Sequence, residues 1–150
     1  MDELAAGIMA GLAVYLVICL ILCVIMIIAN WKIFTKAGEA GWKSIIPILN
    51  TFVIFKISWK TSMFWAWLGT LIAGSVFASL AGQDGGVLSV IGIICSIASG
   101  VIGIIDVHKL SKSFGHGIGF TLGLIFLSPI FTLILAFGSS EYIGPDGGEY

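Results

Sequence analysis

Four long apolar runs, each of about 20 residues and almost free of charged side chains, dominate this 150-residue chain. A helix needs about 20 predominantly apolar residues to cross the hydrocarbon core of a bilayer. Hydrophobic residues make up 59% of the chain and charged residues 10%, whereas charged residues make up about 25% of an ordinary soluble domain. The sequence therefore predicts an integral membrane protein of the all-α class.

The apolar runs predict a compact bundle of four transmembrane helices. A fifth run, at 44–57, is short. A helix of about a dozen residues covers only about 18 Å of a bilayer core of about 30 Å. We expect this segment to be re-entrant or interfacial; the alternative is that it crosses, which gives five transmembrane helices. Residues 1–138 are predicted to form one transmembrane domain, followed by a flexible acidic tail at 139–150. The four predicted helices cover about 7–29, 62–81, 87–107 and 117–137.

The lysines of the chain are confined to two windows. All seven lie at Lys32–Lys60 or Lys109–Lys112, and arginine does not occur. Basic residues collect on the cytoplasmic side of multi-pass proteins. If the short segment does not cross, all seven share that side and both termini are extracytoplasmic. The acidic residues then expected on the opposite side are Asp2, Glu3, Asp84, Glu141, Asp146 and Glu149.

The tryptophans cluster as well. All five lie between Trp31 and Trp67, interleaved with lysines. Because Trp prefers the headgroup level of a bilayer, this region is predicted to form a platform at the cytoplasmic face. The platform either only anchors the protein or offers a surface to a lipid or a protein.

Small residues at four-residue spacing predict close packing of helices. The partner is either another helix of the same chain or a second copy. The spaced sets are Gly7 and Gly11; Gly92, Ser96 and Gly100; and Gly119 and Gly123.

The ionisable residues do not form a recognisable catalytic set. Asp106 is expected within membrane depth, where carboxylates are rare, and it lies three residues before Lys109, the spacing of an ion pair at a helix end. An intramembrane aspartyl protease needs two facing aspartates. We therefore predict no enzyme, and no metal or cofactor site. The near-neutral charge does not suggest a nucleic-acid partner.

Pro47 and Asn50 lie three residues apart in the short apolar segment. Proline is tolerated in a first helical turn, and a side-chain amide can bond backbone groups that a helix break leaves free. The pair is interpreted either as the locally capped start of a short helix or as part of a break that lines a water-filled vestibule.

Two stretches, KAGEAGWKSIIPILN at 36–50 and IDVHKLSKSFGHGIG at 105–119, resemble the motifs of a family of small bacterial multi-pass membrane proteins of unknown function. Some members of that family are fused to, or labelled as, type I signal peptidases. The resemblance implies a location in the bacterial inner membrane and no established mechanism, and peptidase activity is not carried over. The candidate functional positions are Lys36, Gly38, Gly41, Trp42, Pro47, Asn50, Asp106, Lys109, Lys112, Phe114 and Gly115.

Together these patterns predict a non-catalytic scaffold or accessory protein that presents a Lys/Trp-rich cytoplasmic face. Membrane lipid, a protein partner and a second copy of the chain are the expected partners. The alternative is a small oligomeric channel or transporter that uses Pro47, Asn50 and Asp106. A membrane-embedded protein related to peptidases is the third hypothesis.

Overall fold

The computed structural model describes residues 2–81 and 86–148, and within them the regular structure is helical, with no strand. Short 3-10 turns occur at Gly41–Ser44 and Pro145–Gly147. The α-helices are α1 (Asp2–Lys36), α2 (Pro47–Ser58), α3 (Thr61–Leu80), α4 (Val87–Ser113), α5 (Ile118–Phe126) and α6 (Ser128–Phe137).

Three helices of the described chain, α1, α3 and α4, are long and apolar enough to cross a membrane. At 1.5 Å per residue, the shortest of them, α3, covers about 30 Å, the thickness of a bilayer core. The prediction of an all-α protein is confirmed, and these three helices are candidates to span a membrane. The predicted count of four spanning helices is not confirmed.

Residues 117–137 form a helical hairpin instead of the single helix expected from their hydropathy. The backbone of Leu127 (φ −123°, ψ 43°) leaves the helical range between α5 and α6. Pro129 follows in the first turn of α6 and has no N–H to continue the helix. The two helices then fold together, with the rings of Phe120 and Phe131 5.1 Å apart. A Cβ on Gly123 would come within 2.3 Å of the Phe131 ring, so only glycine permits this contact.

The chain between α1 and α3 leaves the C-terminal end of α1 and returns to it. The Ser44 hydroxyl donates to the carbonyl of Ile27, well inside α1 (3.3 Å). Near the end of α2, Lys56 pairs with Glu39, which follows α1 directly (2.5 Å). Residues 37–58 therefore descend beside α1 and come back to its C-terminal end.

One end of the bundle holds the seven lysines, and we call it the lysine end. There α1, α2 and α4 finish and α3 begins, and α6 finishes beside α1. The hydrophobic core of the described chain lies next to this end, between α1, α2, α4 and α6. Its buried members are Ala29, Ile33, Phe34, Val53, Ile57, Leu110, Phe114, Leu135 and Ala136.

Away from the lysine end, α3 and α4 pack closely against each other. A Cβ on Gly74 would lie 2.8 Å from the Ser96 hydroxyl, and one on Gly92 would lie 3.0 Å from the backbone nitrogen of Ala78. The spaced residues Gly92 and Ser96 thus serve packing within the chain, as one of the two interpretations predicted. By contrast, all residues of α1 from Glu3 to Ile25 are exposed.

The described ends of the chain lie at opposite ends of the bundle. The start of α1 is far from the lysine end, whereas residues of the 139–148 tail pack against that end. The Tyr142 hydroxyl donates to the Ile57 carbonyl, and the Ile143 N–H to the Ser113 carbonyl (both 2.8 Å). The tail returns here because the α5–α6 hairpin brings the chain back to the end at which α5 starts.

Acidic residues of the tail are accordingly not separated from the lysines. Asp146 forms ion pairs with Lys109 and Lys112, so its predicted place on the opposite side is wrong. Of the other acidic residues placed there, Asp84 and Glu149 lie outside the described residues.

Candidate functional site at the lysine end

Two motif glycines, Gly38 and Gly115, end the long helices α1 and α4 in the same way. Both have a left-handed backbone, with φ of 78° and 75°, which glycine adopts without strain. In each case the following residue donates back across the turn, which satisfies carbonyls at the helix end. The bonds run from the Glu39 N–H to the Phe34 carbonyl (2.8 Å) and from the His116 N–H to the Ser111 carbonyl (2.9 Å). Each glycine thereby turns the chain into a short returning segment.

Gly41 provides a close contact instead of a turn. A Cβ at this position would lie 2.3 Å from the indole nitrogen of Trp31, so the Trp31 ring lies directly against the backbone of the descending segment. The neighbouring Trp42 is half exposed, at 50%. Of these two motif residues, Gly41 therefore has a packing role, and Trp42 faces outward.

Glu39 joins the start and the end of segment 37–58. Its carboxylate pairs with Lys43 at 2.6 Å and with Lys56 at 2.5 Å, and its side chain is only 12% exposed. Hydrogen bonds from Lys43 and then Lys56 lower the pKa of Glu39 below its ordinary value of 4.5, against the opposing effect of burial. The sequence analysis did not select Glu39, although its spacing from Lys43 is the i,i+4 spacing of a helical ion pair.

Asp146 joins the C-terminal tail to the end of α4. Its carboxylate accepts from Lys109 and lies 3.3 Å from the Lys112 ammonium. Burial acts to raise the pKa of Asp146, but the hydrogen bonds from the two lysines outweigh it and lower that pKa. The ammonium of Lys109 also lies 4.9 Å from the ring centroid of Trp59, a cation–π distance.

The predicted ion pair between Asp106 and Lys109 does not form, because Lys109 points to the tail. Asp106 is buried, at 4% exposure, and accepts a hydrogen bond from Ser58 at the end of α2. The Ser58 hydroxyl is also 2.7 Å from the Ile54 carbonyl. A second hydroxyl, on Ser113, reaches the Ser58 carbonyl at 3.3 Å. This chain of polar contacts fastens α2 to α4.

Pro47 and Asn50 form the start of α2. Pro47 occupies the first turn of the helix, and the Asn50 amide donates to the Ser44 carbonyl at 3.3 Å. The pair therefore lies at the start of a short helix, as one interpretation describes, but no side chain caps that start. The Asn50 carbonyl oxygen is buried without a hydrogen-bond partner. Asn50 lies near the beginning of α2 and Asp106 contacts its end, so the structure does not bring these two predicted residues together.

Lys36 closes the hairpin onto α1. Its ammonium donates to the carbonyls of Leu135 and Gly138, both at 2.8 Å. These carbonyls belong to the C-terminal end of α6, where a cation also interacts favourably with the helix dipole. One turn earlier, Lys32 lies over the Phe137 ring at 4.7 Å from its centroid. The motif residue Phe114 is buried beneath the tail, with its ring 5.4 Å from that of Tyr142.

The polar groups of the lysine end thus hold returning segments in place. Sequence reasoning selected Lys36, Lys109 and Lys112 but missed four residues that pair or anchor the segments of the lysine end. Three of them lie far along the chain from their partners, whereas Glu39 lies four residues from Lys43. The residues it missed are Glu39, Ser58, Tyr142 and Asp146. Within residues 2–81 and 86–148, no group of three or more His, Cys, Asp or Glu side chains is placed to hold a metal ion.

Comparison with known proteins gives one match. No curated protein and no solved structure matches the chain. A family model described as "Family of unknown function (DUF5684)" matches residues 42–145. The matched region begins at the motif residue Trp42 and ends within the tail that packs against the lysine end. It covers more than half of the sequence, and the chain therefore belongs to this family of unknown function.

Proposed function

We propose that this protein is a non-catalytic scaffold or accessory protein of a membrane, and that it assembles through the uncovered part of α1. The single observation that carries the proposal is the contrast between its two surfaces. The polar groups of the lysine end are paired within the chain, whereas α1 is exposed from Glu3 to Ile25. The predicted bacterial inner membrane, the cytoplasmic orientation and the peptidase link stay predictions.

The contacts at the lysine end argue against an open basic platform as the partner-binding surface. Lys43 and Lys56 share Glu39, Lys109 and Lys112 share Asp146, and Lys36 bonds carbonyls of the hairpin. Reversing the charge of one of these lysines would break a contact within the chain, so a loss of partner binding would reflect a disturbed fold. We therefore assign the lysine end a structural role in positioning α1.

The uncovered stretch of α1 has the features of a helix-packing surface. Nothing lies within 4 Å of a Cβ built on Gly7 or Gly11, so a neighbouring backbone can approach closely there. Elsewhere in the same chain, Gly92 and Ser96 have this spacing and make the close contact between α3 and α4. We propose that the occupant is α1 of a second copy.

The length of the stretch supports this assignment. The uninterrupted apolar run from Leu4 to Ile28 would be about 38 Å long as a helix, against a bilayer core of about 30 Å. Tilting and association with another helix are the usual responses to such a mismatch. A crossed pair of α1 helices combines both.

Cysteine crosslinking in native membranes tests the proposal. In a background with Cys19, Cys23 and Cys95 replaced by Ser, Ile18→Cys places a thiol on the face of Gly7 and Gly11, at 100° per residue. Leu20→Cys places it on the opposite face. Under mild oxidation we expect a disulfide-linked dimer for Ile18→Cys and little for Leu20→Cys.

A matched substitution on the same face sharpens this test. Gly11→Leu should reduce dimer formation by Ile18→Cys, since it blocks close approach of the backbones. Equal crosslinking from both faces, or none from either, would contradict assembly through this surface. Ion flux into liposomes tests the channel hypothesis, with Asp106→Asn and Asn50→Ala as controls.

A further inference from the structure

A cavity of about 210 Å³ lies between the helices next to the lysine end. Five helices line it: α1, α2, α4 and both arms of the α5–α6 hairpin. Most of the lining is aliphatic, but Asn30, Ser128 and Thr132 contribute an amide and two hydroxyl groups. The cavity is separate from the contacts of Asp106, Glu39 and Asp146.

These polar side chains have no hydrogen-bond partner within the described part of the chain. Thr132 is the most enclosed, at 9% exposure, while Asn30 is half-buried and Ser128 is exposed near the hairpin tip. Polar groups within a membrane normally form hydrogen bonds with other protein groups, because lipid acyl chains have no hydrogen-bond donors or acceptors. Three of them around one cavity point to a partner that enters it.

We expect the cavity to lie below the headgroup region of the bilayer. Asn30 and Thr132 each lie six residues before the lysine-end contacts of their helices, Lys36 and Gly138. At 1.5 Å per residue this is about 9 Å deeper than the lysine ammonium level. Lipid acyl chains at that depth carry no hydroxyl or carbonyl group, so they cannot satisfy these side chains.

We propose that the cavity binds a small uncharged amphiphile, with an apolar body and one hydroxyl or carbonyl group. No charged side chain lines the cavity, which disfavours an ionic ligand. Amides and hydroxyls both donate and accept hydrogen bonds, and Thr132 and Asn30 face the polar group of the ligand. An apolar cavity of about 150 Å³ holds benzene, so this one holds a ligand of about eight to ten non-hydrogen atoms.

A pair of nearly isosteric probes tests this inference. Benzyl alcohol and ethylbenzene differ in one hydroxyl group in place of one methyl group. We would titrate each into methyl-labelled protein in lipid nanodiscs, at matched concentrations in the bilayer, and follow the methyl signals of Leu124 and Leu135. We expect saturable shifts for benzyl alcohol, with an affinity about 3- to 10-fold higher than that of ethylbenzene, the effect of one hydrogen bond.

Two substitutions separate a specific site from a general apolar void. Thr132→Val keeps the shape and removes the hydroxyl, and should bring the two affinities together. Thr70→Val is the matched control, because the Thr70 hydroxyl bonds the backbone of its own helix, at 2.9 Å to the Ala66 carbonyl. Equal binding of both probes to the unaltered protein, shifts that never saturate, or an unchanged ratio in Thr132→Val would overturn the proposal.

Discussion

The helices of this protein are held together by different contacts at the two ends of the bundle. At the lysine end, one terminus of each of the six α-helices is found, and the core, the ion pairs and the hydrogen bonds between segments are concentrated there. Beyond it, α3 and α4 pack as a pair, and the first two-thirds of α1 contacts no comparable core. The fold therefore has one end fixed by polar contacts within the chain, and apolar helices extend from that end.

The comparison teaches where stability resides in such a chain. In lipid, apolar side chains gain little from leaving the solvent, so packing and hydrogen bonds hold helices together. A side chain at the lysine end has protein neighbours to lose. A side chain on the uncovered part of α1 is surrounded by lipid both in the folded and in the unfolded protein, so it has few protein contacts to lose.

Matched Leu→Ala substitutions give the largest expected contrast between the two regions. Leu135 is fully buried and Leu20 is 66% exposed. We expect Leu135→Ala to lower the free energy of unfolding by about 2–4 kcal/mol through the cavity that it leaves. Leu20→Ala should change it by less than about 0.5 kcal/mol. Unfolding in mixed micelles with increasing SDS measures both, and similar losses would contradict the division into two regions.

The contact between Ser58 and Asp106 provides the next largest effect. Ser58→Ala leaves the buried carboxyl group of Asp106 without its partner, which should cost about 1–3 kcal/mol of unfolding free energy. In an Asp106→Ala background the same substitution should cost less than about 1 kcal/mol, since no buried carboxyl group remains. A double-mutant cycle measures this coupling, and additive losses would show that the contact does not fasten α2 to α4.

Glu39 makes the stability of the lysine end depend on pH. Because its pKa is lowered in the folded protein, its contribution is present above the ordinary value and is lost as the pH falls through the lowered one. We expect Glu39→Gln to cost about 1–2 kcal/mol at neutral pH and to remove part of the acid destabilisation below pH 4.5. The exposed Glu141→Gln is the control, and an unchanged acid profile in Glu39→Gln would contradict the role of this carboxylate.

Asn50 should give the smallest effect. Asn50→Ala removes the bond to the Ser44 carbonyl (3.3 Å), but it also removes an acceptor that is buried without a partner. The two changes oppose each other, so we expect a loss below about 1 kcal/mol. A loss as large as that of Leu135→Ala, in the same SDS titration, would mean that Asn50 has a partner or role beyond the start of α2.

The sequence predicted the features of this fold that depend on local composition. Apolar length identified the helices that can span, Pro47 marked the first turn of α2, and the short run at 44–57 was expected to return. The lysines share one end, as their spacing suggested. These features follow from residues close together in the chain, where hydropathy and turn chemistry act directly.

What the sequence could not reveal depends on residues far apart. Hydropathy continues unbroken through 117–137, and proline is tolerated in spanning helices, so the hairpin at Leu127 gave no compositional signal. The partners of Lys56 and Lys109 were hidden for a related reason. Asp146 stands 37 residues after Lys109, and the spacing rule for helices favoured the nearer Asp106 instead.

The packing of the tail against α2 and α4 has a consequence for biogenesis. Tyr142 and Asp146 are synthesised after their partners, so a nascent chain that stops at Gly138 leaves the Ile57 carbonyl, Lys109 and Lys112 without these contacts. A fusion joined directly after α6 would therefore leave these tail contacts unmade. We expect a reporter joined after Gly148 to preserve them.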